Sequence, residues 1–530
     1  MINGMVRAKL FACATALFAT ARGIAAPGPE PAIELRVERT HAGPTIDRNI
    51  FGQFAEHLGN GVYGGIWVGK DSAIPNVRGI RSDVVAALRA LHVPNVRWPG
   101  GCFGDEYHWR DGIGPVENRR ATVNANWGGA IETNRFGTDE FMDFIGQIGS
   151  DVYLSVNVGS GTPSEAAAWM AYMTADTATS AGKERAANGH PDPYRVKFLG
   201  IGNESWGCGG SMSPDYYVSL LKLYARYVRN YNPAQAGDQA MRRIAVGADG
   251  SKTDYVEAVM KAWQDKVWSW DMEGLSLHSY TTVGWPPSHP STHFGEVEYA
   301  SFLKDTLAMD ALIAKHSGIM DLHDPQKKIS LAVDEWGAWL APLPGSNPGF
   351  LVQQNSLRDA ILAALNIDIF ARHADRVRMA NIAQMINVLQ AMIMTDHERM
   401  VLTPTYYVFR MYAPFQDATL LPVELDAGTY REGSVTLPRV DAIAARDSKG
   451  NVWLAAVNLD PKRPVRIHAG FGDTPVRRAH GEVLTAAQVD SVNSFESAHV
   501  VQPAPIDGVA TAGGLMLELP AKSVSVLQLQ

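Results

Sequence analysis

Cysteine is scarce in this chain, with 3 in 530 residues. So few cysteines exclude a disulfide scaffold, because such scaffolds depend on several bridges. Charged residues make up only 19% of the chain, and the net charge is −8. No run of Lys or Arg is present, which argues against a nucleic-acid partner, since phosphate binding needs clustered positive charge. The class that remains is a large soluble globular protein.

Long apolar runs are also missing, and no stretch beyond the N-terminus approaches the roughly 18 apolar residues of a membrane span. At the N-terminus, Arg7 and Lys9 precede an apolar stretch, Leu10 to Ala21, and small residues follow before Pro27. A basic start, a short apolar run and a small-residue end are typical of a secretory signal. We therefore expect residues 1–26 to be a signal peptide and the protein to be secreted or periplasmic. The alternative is an unprocessed, disordered tail.

Short apolar runs alternate with amphipathic stretches between Ile50 and Asn387. Some amphipathic stretches open with helix-capping signals, such as Thr162-Pro163-Ser164-Glu165. This alternation predicts a parallel sheet, and eight units over about 340 residues predict a closed (β/α)8 barrel. A doubly wound open sheet is the alternative, but no GxGxxG motif follows the first strand. The predicted strands are Ile50–Phe54, Val93–Trp98, Val152–Val158, Phe198–Ile201, Ile244–Gly247, Leu275–Leu277, Ile329–Val333 and Met379–Ile386.

The pattern changes after Tyr407, where helical periodicity ends and strand-like runs surround turn signals. These runs are Val440–Ala445, Val452–Val457 and Val524–Leu529. They predict an all-β sandwich. Near the N-terminus, Ile33, Leu35 and Val37 alternate with charged residues, and we expect this strand to complete the C-terminal sheet. The predicted domains are a catalytic barrel at 45–405 and a sandwich made of 27–44 and 406–530.

Acids, amides and aromatic residues gather at the predicted C-terminal strand ends, where a barrel of this kind carries its active site. Two carboxylates stand out, Glu204 after the fourth strand and Glu335 after the seventh. Retaining glycoside hydrolysis uses two carboxyl groups about 5–5.5 Å apart, one as nucleophile and one as acid/base. These two strands could supply that pair. Two salt-bridged strand-end acids without a catalytic role are the alternative.

His278, at the end of the sixth strand, is a candidate metal ligand, but a histidine that orients a neighbour is the better interpretation. A metal-dependent hydrolase needs a cluster of His and Asp ligands, and the first strand offers only His57. We therefore expect no metal and no other cofactor. Cys102 and Cys208 both follow strand ends and are either paired or free buried thiols. Five tryptophans could be sugar platforms, with core packing as the default for each: Trp67, Trp98, Trp109, Trp127 and Trp336.

Six ordered motifs lie at or near the predicted strand ends. They are Phe51-Gly52-Gln53-Phe54-Ala55-Glu56-His57-Leu58-Gly59, Arg97-Trp98-Pro99-Gly100-Gly101-Cys102-Phe103, Trp109-Arg110-Asp111-Gly112-Ile113-Gly114-Pro115, Phe136-Gly137-Thr138-Asp139-Glu140-Phe141, Gly202-Asn203-Glu204 and Asp334-Glu335-Trp336. Together they resemble the α-L-arabinofuranosidases of glycoside hydrolase family 51. The resemblance extends from about residue 50 to 405, and more loosely through the C-terminal sheet.

By that resemblance Glu204 is the general acid/base and Glu335 the nucleophile of a retaining, exo-acting enzyme. The residues that it places around the sugar and the nucleophile are Glu56, Arg97, Asn203, Tyr280, Gln384 and Trp127, and we add Cys102 and His278 as substrate-binding candidates. The family implies no metal, frequent homo-oligomers, and arabinan or arabinoxylan as substrate. The alternatives are an endo-β-1,4-glucanase or a β-xylosidase on the same scaffold, a metal-dependent hydrolase, and a non-catalytic sugar-binding protein.

Overall fold

Eight parallel strands close into a barrel in their order along the chain, which confirms the predicted (β/α)8 architecture. The computed structural model describes residues 32–472, 476–511 and 513–530, so the predicted signal peptide, 1–26, lies outside the described residues. The barrel strands, first to eighth, are Gly52–Phe54, Asn95–Trp98, Asp151–Val156, Phe198–Ile201, Arg242–Asp249, Gly274–Thr281, Ser330–Ala338 and Val377–Ile382.

A helix follows each barrel strand, and two of the helices begin where the sequence predicted. Thr162 caps one of them by accepting the N–H of Glu165 at 3.1 Å, and Ser213 caps another by accepting the N–H of Tyr216 at 3.4 Å. A proline follows each cap in the first turn, where its missing N–H costs nothing. The helices are Ser82–Ala90, Thr138–Ile148, Pro163–Thr174, Ser180–Ala187, Pro214–Tyr227, Asp254–Gln264, Glu296–His323, Leu357–Arg372 and Pro404–Met411.

The first, second, third and eighth barrel strands are shorter than predicted, and for the first and the eighth the reason is local. The first strand begins at Gly52, because Asp47 accepts the N–H of Asn49 at 2.9 Å and starts a 3-10 turn over Arg48–Phe51. The eighth strand ends at Ile382, four residues early. Beyond it the chain leaves the sheet and returns to the first strand, where the N–H of Met385 bonds to a strand carbonyl at 2.8 Å. This detour places Gln384 at the barrel mouth.

The C-terminal part is a sheet of ten strands that encloses a second apolar core. The N-terminal strand Ile33–Val37 lies within it, parallel to Val465–Gly470 and antiparallel to Val423–Leu425, as the sequence predicted. In spatial order the strands are Thr419–Leu421, Val440–Arg446, Val452–Asn458, Ser523–Leu529, Ala479–Leu484, Pro503–Thr511, Gly514–Leu519, Val465–Gly470, Ile33–Val37 and Val423–Leu425.

The helix Leu357–Arg372 packs between the barrel and the sandwich and is buried along almost its whole length. At its end, Arg372 bonds to Asp441 of the sandwich at 3.0 Å.

Within the described ranges, no helix has both the length and the apolar character to cross a membrane. Separate two-stranded hairpins belong neither to the barrel nor to the ten-stranded sheet: Asn76–Val77 with Ile80–Arg81, Thr122–Asn124 with Ala130–Glu132, Ile393–Asp396 with Arg399–Leu402, and Thr429–Glu432 with Val435–Pro438.

Candidate active site

Glu204 and Glu335 face one another at the C-terminal mouth of the barrel. Glu204 follows the fourth strand, and Glu335 lies within the seventh. A carboxylate oxygen of each lies within 4.8 Å of the other and of a ring nitrogen of His278. That separation is close to the spacing of about 5–5.5 Å in retaining glycosidases, and shorter than the spacing of about 6.5–9.5 Å in inverting ones. The two carboxyl groups are therefore close enough together for both to reach one anomeric carbon.

Arg97 and Tyr280 hold the Glu335 carboxylate from two sides. Nη1 of Arg97 donates to Oε1 of Glu335 at 2.7 Å, and the Tyr280 hydroxyl donates to Oε2 at 2.8 Å. The second amino group of Arg97 donates to Oδ1 of Asn203 at 2.7 Å. Arg97 is itself buried and lies 4.5 Å from the centre of the Phe54 ring. Charge-assisted bonds of this kind fix both the position and the direction of the carboxylate.

His278 connects Glu204 with the strand that carries Glu335. Its Nδ1 lies 2.9 Å from Oε1 of Glu204, and its Nε2 lies 3.3 Å from Oδ1 of Asp334. Burial disfavours the imidazolium, but the charge of Glu335 and the bonds to Asp334 and Glu204 outweigh it and raise the pKa of His278 to about 10. His278 is therefore a cation whose Nδ1 hydrogen-bonds to Glu204 and whose Nε2 faces the Asp334 carboxylate.

The Glu204 carboxyl keeps its proton more readily than a free glutamic acid. Burial raises the pKa of Glu204 most, the hydrogen bond from His278 lowers it, and the charge of Glu335 raises it again, so that the net shift is upward. A carboxyl group with a raised pKa can donate a proton at a pH where an ordinary carboxyl is already ionised. Glu204 therefore lies in the kind of environment that a proton donor requires.

Glu56 forms the floor of the site together with Gln384. Oε1 of Glu56 accepts the N–H groups of Gly101 and Phe103, both at 3.0 Å, and Gln384 donates to Oε2, also at 3.0 Å. Burial, followed by the charge of Glu335, raises the pKa of Glu56 to about 7. A Cβ atom on Gly101 would lie 2.9 Å from Oε1 of Glu335, so only glycine lets the backbone pass this close to the Glu335 carboxylate.

Of the five tryptophans singled out, Trp127 reaches the site. It lies on the loop of the hairpin Thr122–Asn124 with Ala130–Glu132 and packs against the small apolar cluster that includes Phe54 and Leu58. It is also among the groups that lower the pKa of Glu56. The other four tryptophans pack in or against the core. Trp98, Trp109 and Trp336 are fully buried there, and Trp67 is half-buried at its edge.

The two cysteines left open by the sequence are joined in a disulfide, Cys102–Cys208. Cys102 therefore has no thiol hydrogen to offer a sugar. The bridge lies beside the catalytic pair, since Sγ of Cys208 is 3.4 Å from Oε2 of Glu204. The side-chain amide of Asn203 also points at this sulfur, at 3.7 Å.

Two groups of described side chains bring donor atoms close enough together for a metal ion. The first is Cys102, Cys208 and Glu204, but sulfurs joined to each other are not thiolate ligands. The second is Glu204, Glu335 and His278, and there the guanidinium of Arg97 and the imidazolium already supply positive charge. Neither group fits a resident cation.

Sequence reasoning missed two acids that organise the site. Asp334 accepts the Tyr153 hydroxyl at 2.5 Å, and Arg97 followed by His278 keep its pKa low despite burial. The sequence could have indicated Asp334, because a charged residue next to an apolar strand run is unusual unless it is paired. Asp105 accepts three peptide N–H groups and is buried. An acid in a loop gives no signal of that kind.

A parallel barrel that holds a close pair of carboxylates at its mouth, one beside an arginine and one beside an imidazolium, defines a glycoside hydrolase. Family models agree: the model described as α-L-arabinofuranosidase 1 domain matches residues 87–285, and that of the α-L-arabinofuranosidase C-terminal domain matches residues 334–523. The chain belongs to the α-L-arabinofuranosidases of glycoside hydrolase family 51.

Three known proteins illustrate the similarity. The intracellular exo-α-L-arabinofuranosidase of Bacteroides ovatus is 47% identical over 92% of this chain and 93% of its own length. The crystal structure of the family 51 arabinofuranosidase from Xanthomonas axonopodis pv. citri superposes with a TM-score of 0.91 at 48% identity, covering 94% of this chain and 100% of that one. The Thermotoga maritima enzyme, in its arabinose complex, gives 0.80 at 28% identity, with coverages of 94% and 99%.

One expectation from the sequence is wrong. We expected a secreted or periplasmic protein, but the Bacteroides ovatus relative, which matches nearly the whole chain, is named intracellular. The physical weakness of the signal-peptide interpretation is Arg22, which places a charge between the apolar stretch and the small residues that were taken as a cleavage site.

Proposed function

We propose that this enzyme removes terminal non-reducing α-L-arabinofuranosyl residues from arabinan, arabinoxylan or their oligosaccharides, with retention of anomeric configuration. The observation that carries the proposal is the pair Glu204 and Glu335, whose carboxylate oxygens lie within 4.8 Å of each other. Support for exo action comes from the Bacteroides ovatus relative, which is named an exo-enzyme.

In the first step, a carboxylate oxygen of Glu335 attacks the anomeric carbon while Glu204 donates its proton to the leaving oxygen. Arg97 and Tyr280 hold the Glu335 carboxylate in one orientation, so the side chain needs little reorganisation before it attacks. Glu204 becomes negative as it loses the proton, and the cationic His278, 2.9 Å away, stabilises that charge. The product is an arabinosyl ester of Glu335.

In the second step, Glu204 removes a proton from water, and the water oxygen attacks the anomeric carbon and displaces Glu335. Two inversions at one carbon give net retention. Asn203, Glu56 and Gln384 line the same mouth, and Trp127 borders it; we assign them to holding the sugar ring. Cys102 is left out of that set because its sulfur is already bonded to Cys208.

Initial rates on a panel of aryl glycosides test the substrate. We expect 4-nitrophenyl α-L-arabinofuranoside to be turned over at least about a hundredfold faster than 4-nitrophenyl β-D-xyloside, and cellulose to give no product; a factor of that size corresponds to about 2.7 kcal/mol of discrimination. The matched control is Glu335→Gln, which keeps the shape but removes the nucleophile and should be inactive on all of them. Faster xyloside turnover would identify a xylosidase, cellulose cleavage a glucanase, and binding without turnover a non-catalytic sugar-binding protein.

A further inference from the structure

We propose that the 3-10 turn Cys102–Asp105 positions the acid/base Glu204, because the two ends of the turn hold the two ends of the segment Asn203–Cys208. Asp105 holds the start of the segment through a hydrogen bond, and Cys102 holds its end through the disulfide. Asp105 is thereby a positioning residue that acts through Glu204. The inference rests on the proposed function, since it takes Glu204 as the proton donor.

The backbone that carries Glu204 needs such support. Gly202 has φ +84°, and Glu204 itself has φ +38°, in the left-handed region that side chains other than glycine rarely occupy. Conformations of this kind persist only where surrounding contacts hold them, and they concentrate at functional sites. Without those contacts the peptide around Glu204 would relax, and the carboxyl would leave its place beside Glu335.

Asp105 supplies the first contact. Its Oδ2 accepts the N–H of Asn203, the residue directly before Glu204, at 2.9 Å. Its Oδ1 accepts the N–H groups of Val158 and Gly159 at 2.7 and 2.9 Å. The side chain is 2% exposed, so these bonds are sheltered from competing water. One carboxylate therefore joins the loops that follow the second, third and fourth barrel strands.

The disulfide and the tight packing around Gly209 supply the second contact. Cys208 is bonded to Cys102, the first residue of the turn, and its sulfur lies 3.4 Å from Oε2 of Glu204. A Cβ atom at Gly209 would lie 1.7 Å from the carbonyl oxygen of Asn203 and 2.7 Å from Oδ2 of Asp105. The segment folds back on itself over the turn with no space to spare, so a shift at Asp105 is passed to Glu204.

The nucleophile is held by other groups. Arg97 and Tyr280 bond directly to Glu335, whereas Asp105 bonds to neither Arg97 nor Tyr280 and is linked to Arg97 only through Asn203. Loss of the Asp105 carboxylate should therefore disturb proton transfer far more than nucleophilic attack. This difference separates a positioning role from a general structural one, which would weaken all steps alike.

The decisive variant is Asp105→Asn, assayed with two aryl arabinofuranosides. We expect kcat/KM for the phenyl glycoside, a poor leaving group that needs protonation, to fall about tenfold or more. For the 2,4-dinitrophenyl glycoside, which leaves without a proton, we expect less than about a threefold loss. Azide should raise kcat of the variant on the second substrate, because it attacks the arabinosyl ester of Glu335 without needing a base and forms arabinosyl azide. Glu106→Gln, the exposed neighbour, is the matched control and should behave as wild type.

Equal losses on the two substrates, or no effect of azide, would overturn the inference. If Asp105→Asn does not fold, Cys208→Ser removes the second contact and is judged by the same two readouts. Glu204→Ala serves as the reference: if that variant shows neither selective loss nor azide activation, the proposed function itself fails. If Glu204→Ala shows both and the turn variants show neither, only the positioning role fails.

Discussion

The imidazolium of His278, at the centre of the site, lies within ion-pair distance of three acids. His278 lies 2.9 Å from Glu204, 3.3 Å from Asp334 and 3.5 Å from Glu335. Arg97 stands on the far side of Glu335, so negative charges alternate with positive ones across the barrel mouth. The raised pKa of Glu204 is the balance of burial and the Glu335 charge, which raise it, and of His278, which lowers it. The imidazolium thus limits how far the pKa of Glu204 is raised.

Replacing His278 by Asn should move the alkaline limb of the pH–rate profile to higher pH. The substitution removes a positive charge that favours the ionised form of Glu204, so the pKa of Glu204 rises and its proton is lost later as pH increases. The measurement is kcat/KM for the phenyl arabinofuranoside across pH, compared with His480→Asn, an exposed histidine of the sandwich. An alkaline limb that stays in place or moves to lower pH contradicts this account.

The hairpin Thr122–Asn124 with Ala130–Glu132 carries Trp127, which we propose to border the sugar, and the hairpin is anchored at its base. Glu132, at its end, accepts from Nδ1 of His57 at 2.7 Å and from the Tyr63 hydroxyl. Trp98 donates to the other ring nitrogen of His57 at 3.1 Å, which fixes the tautomer. The base of the hairpin is therefore tied to His57, the residue that directly follows Glu56.

Glu132→Gln should raise KM by about tenfold while kcat changes less. The amide puts an N–H group where only acceptors fit, and losing a charge-assisted bond of this kind costs about 1.5–3 kcal/mol. The hairpin then presents Trp127 less often in its binding position. Steady-state kinetics on an arabino-oligosaccharide measure the effect, with Glu424→Gln on the sandwich surface as the control. A loss confined to kcat would indicate that the anchor acts on the chemical step instead.

What the sequence could predict at this scale depended on periodicity and on local capping. Strand order, helix starts at Thr162 and Ser213, and the strand-end positions of Glu204 and Glu335 all follow from patterns within a few residues. The contacts that anchor the site do not follow from local patterns, because their partners are far apart in the sequence. Glu132 and His57 are 75 residues apart, and Asp105 and Asn203 are 98 apart. No local pattern marks a side chain that bonds to a distant peptide, so these contacts became visible only in three dimensions.

At the scale of the whole molecule, the barrel and the sandwich share one buried helix, and a partly exposed ion pair at the end of that helix joins the two. The helix Leu357–Arg372 has the barrel on one side and sandwich strands on the other, and Arg372 bonds to Asp441. Burial on both sides explains why this helix has few polar positions, a feature that periodicity alone could not assign. We infer that the sandwich supports the barrel through this shared layer.

Leu35→Ala should lower the free energy of unfolding by about 2–5 kcal/mol, since it leaves a cavity in the sandwich core. Leu35 is 2% exposed, whereas its neighbour Arg36 points to solvent, so Arg36→Ala is the matched control and should be nearly neutral. Urea unfolding followed by circular dichroism measures both. Similar values for the two variants would mean that the N-terminal strand does not stabilise the sheet as its burial implies.

The position of that strand also orders events during synthesis. Glu34 pairs with His468, 434 residues further along the chain, and ribosomes add about 5–20 residues per second. The barrel can assemble while translation continues, but the N-terminal strand Ile33–Val37 must wait about 20 to 90 seconds for the strand that contains His468 to be synthesised. Closure of the sandwich is therefore among the last steps in the maturation of this enzyme, and a nascent chain interrupted before that point carries an unpaired sheet edge exposed to aggregation.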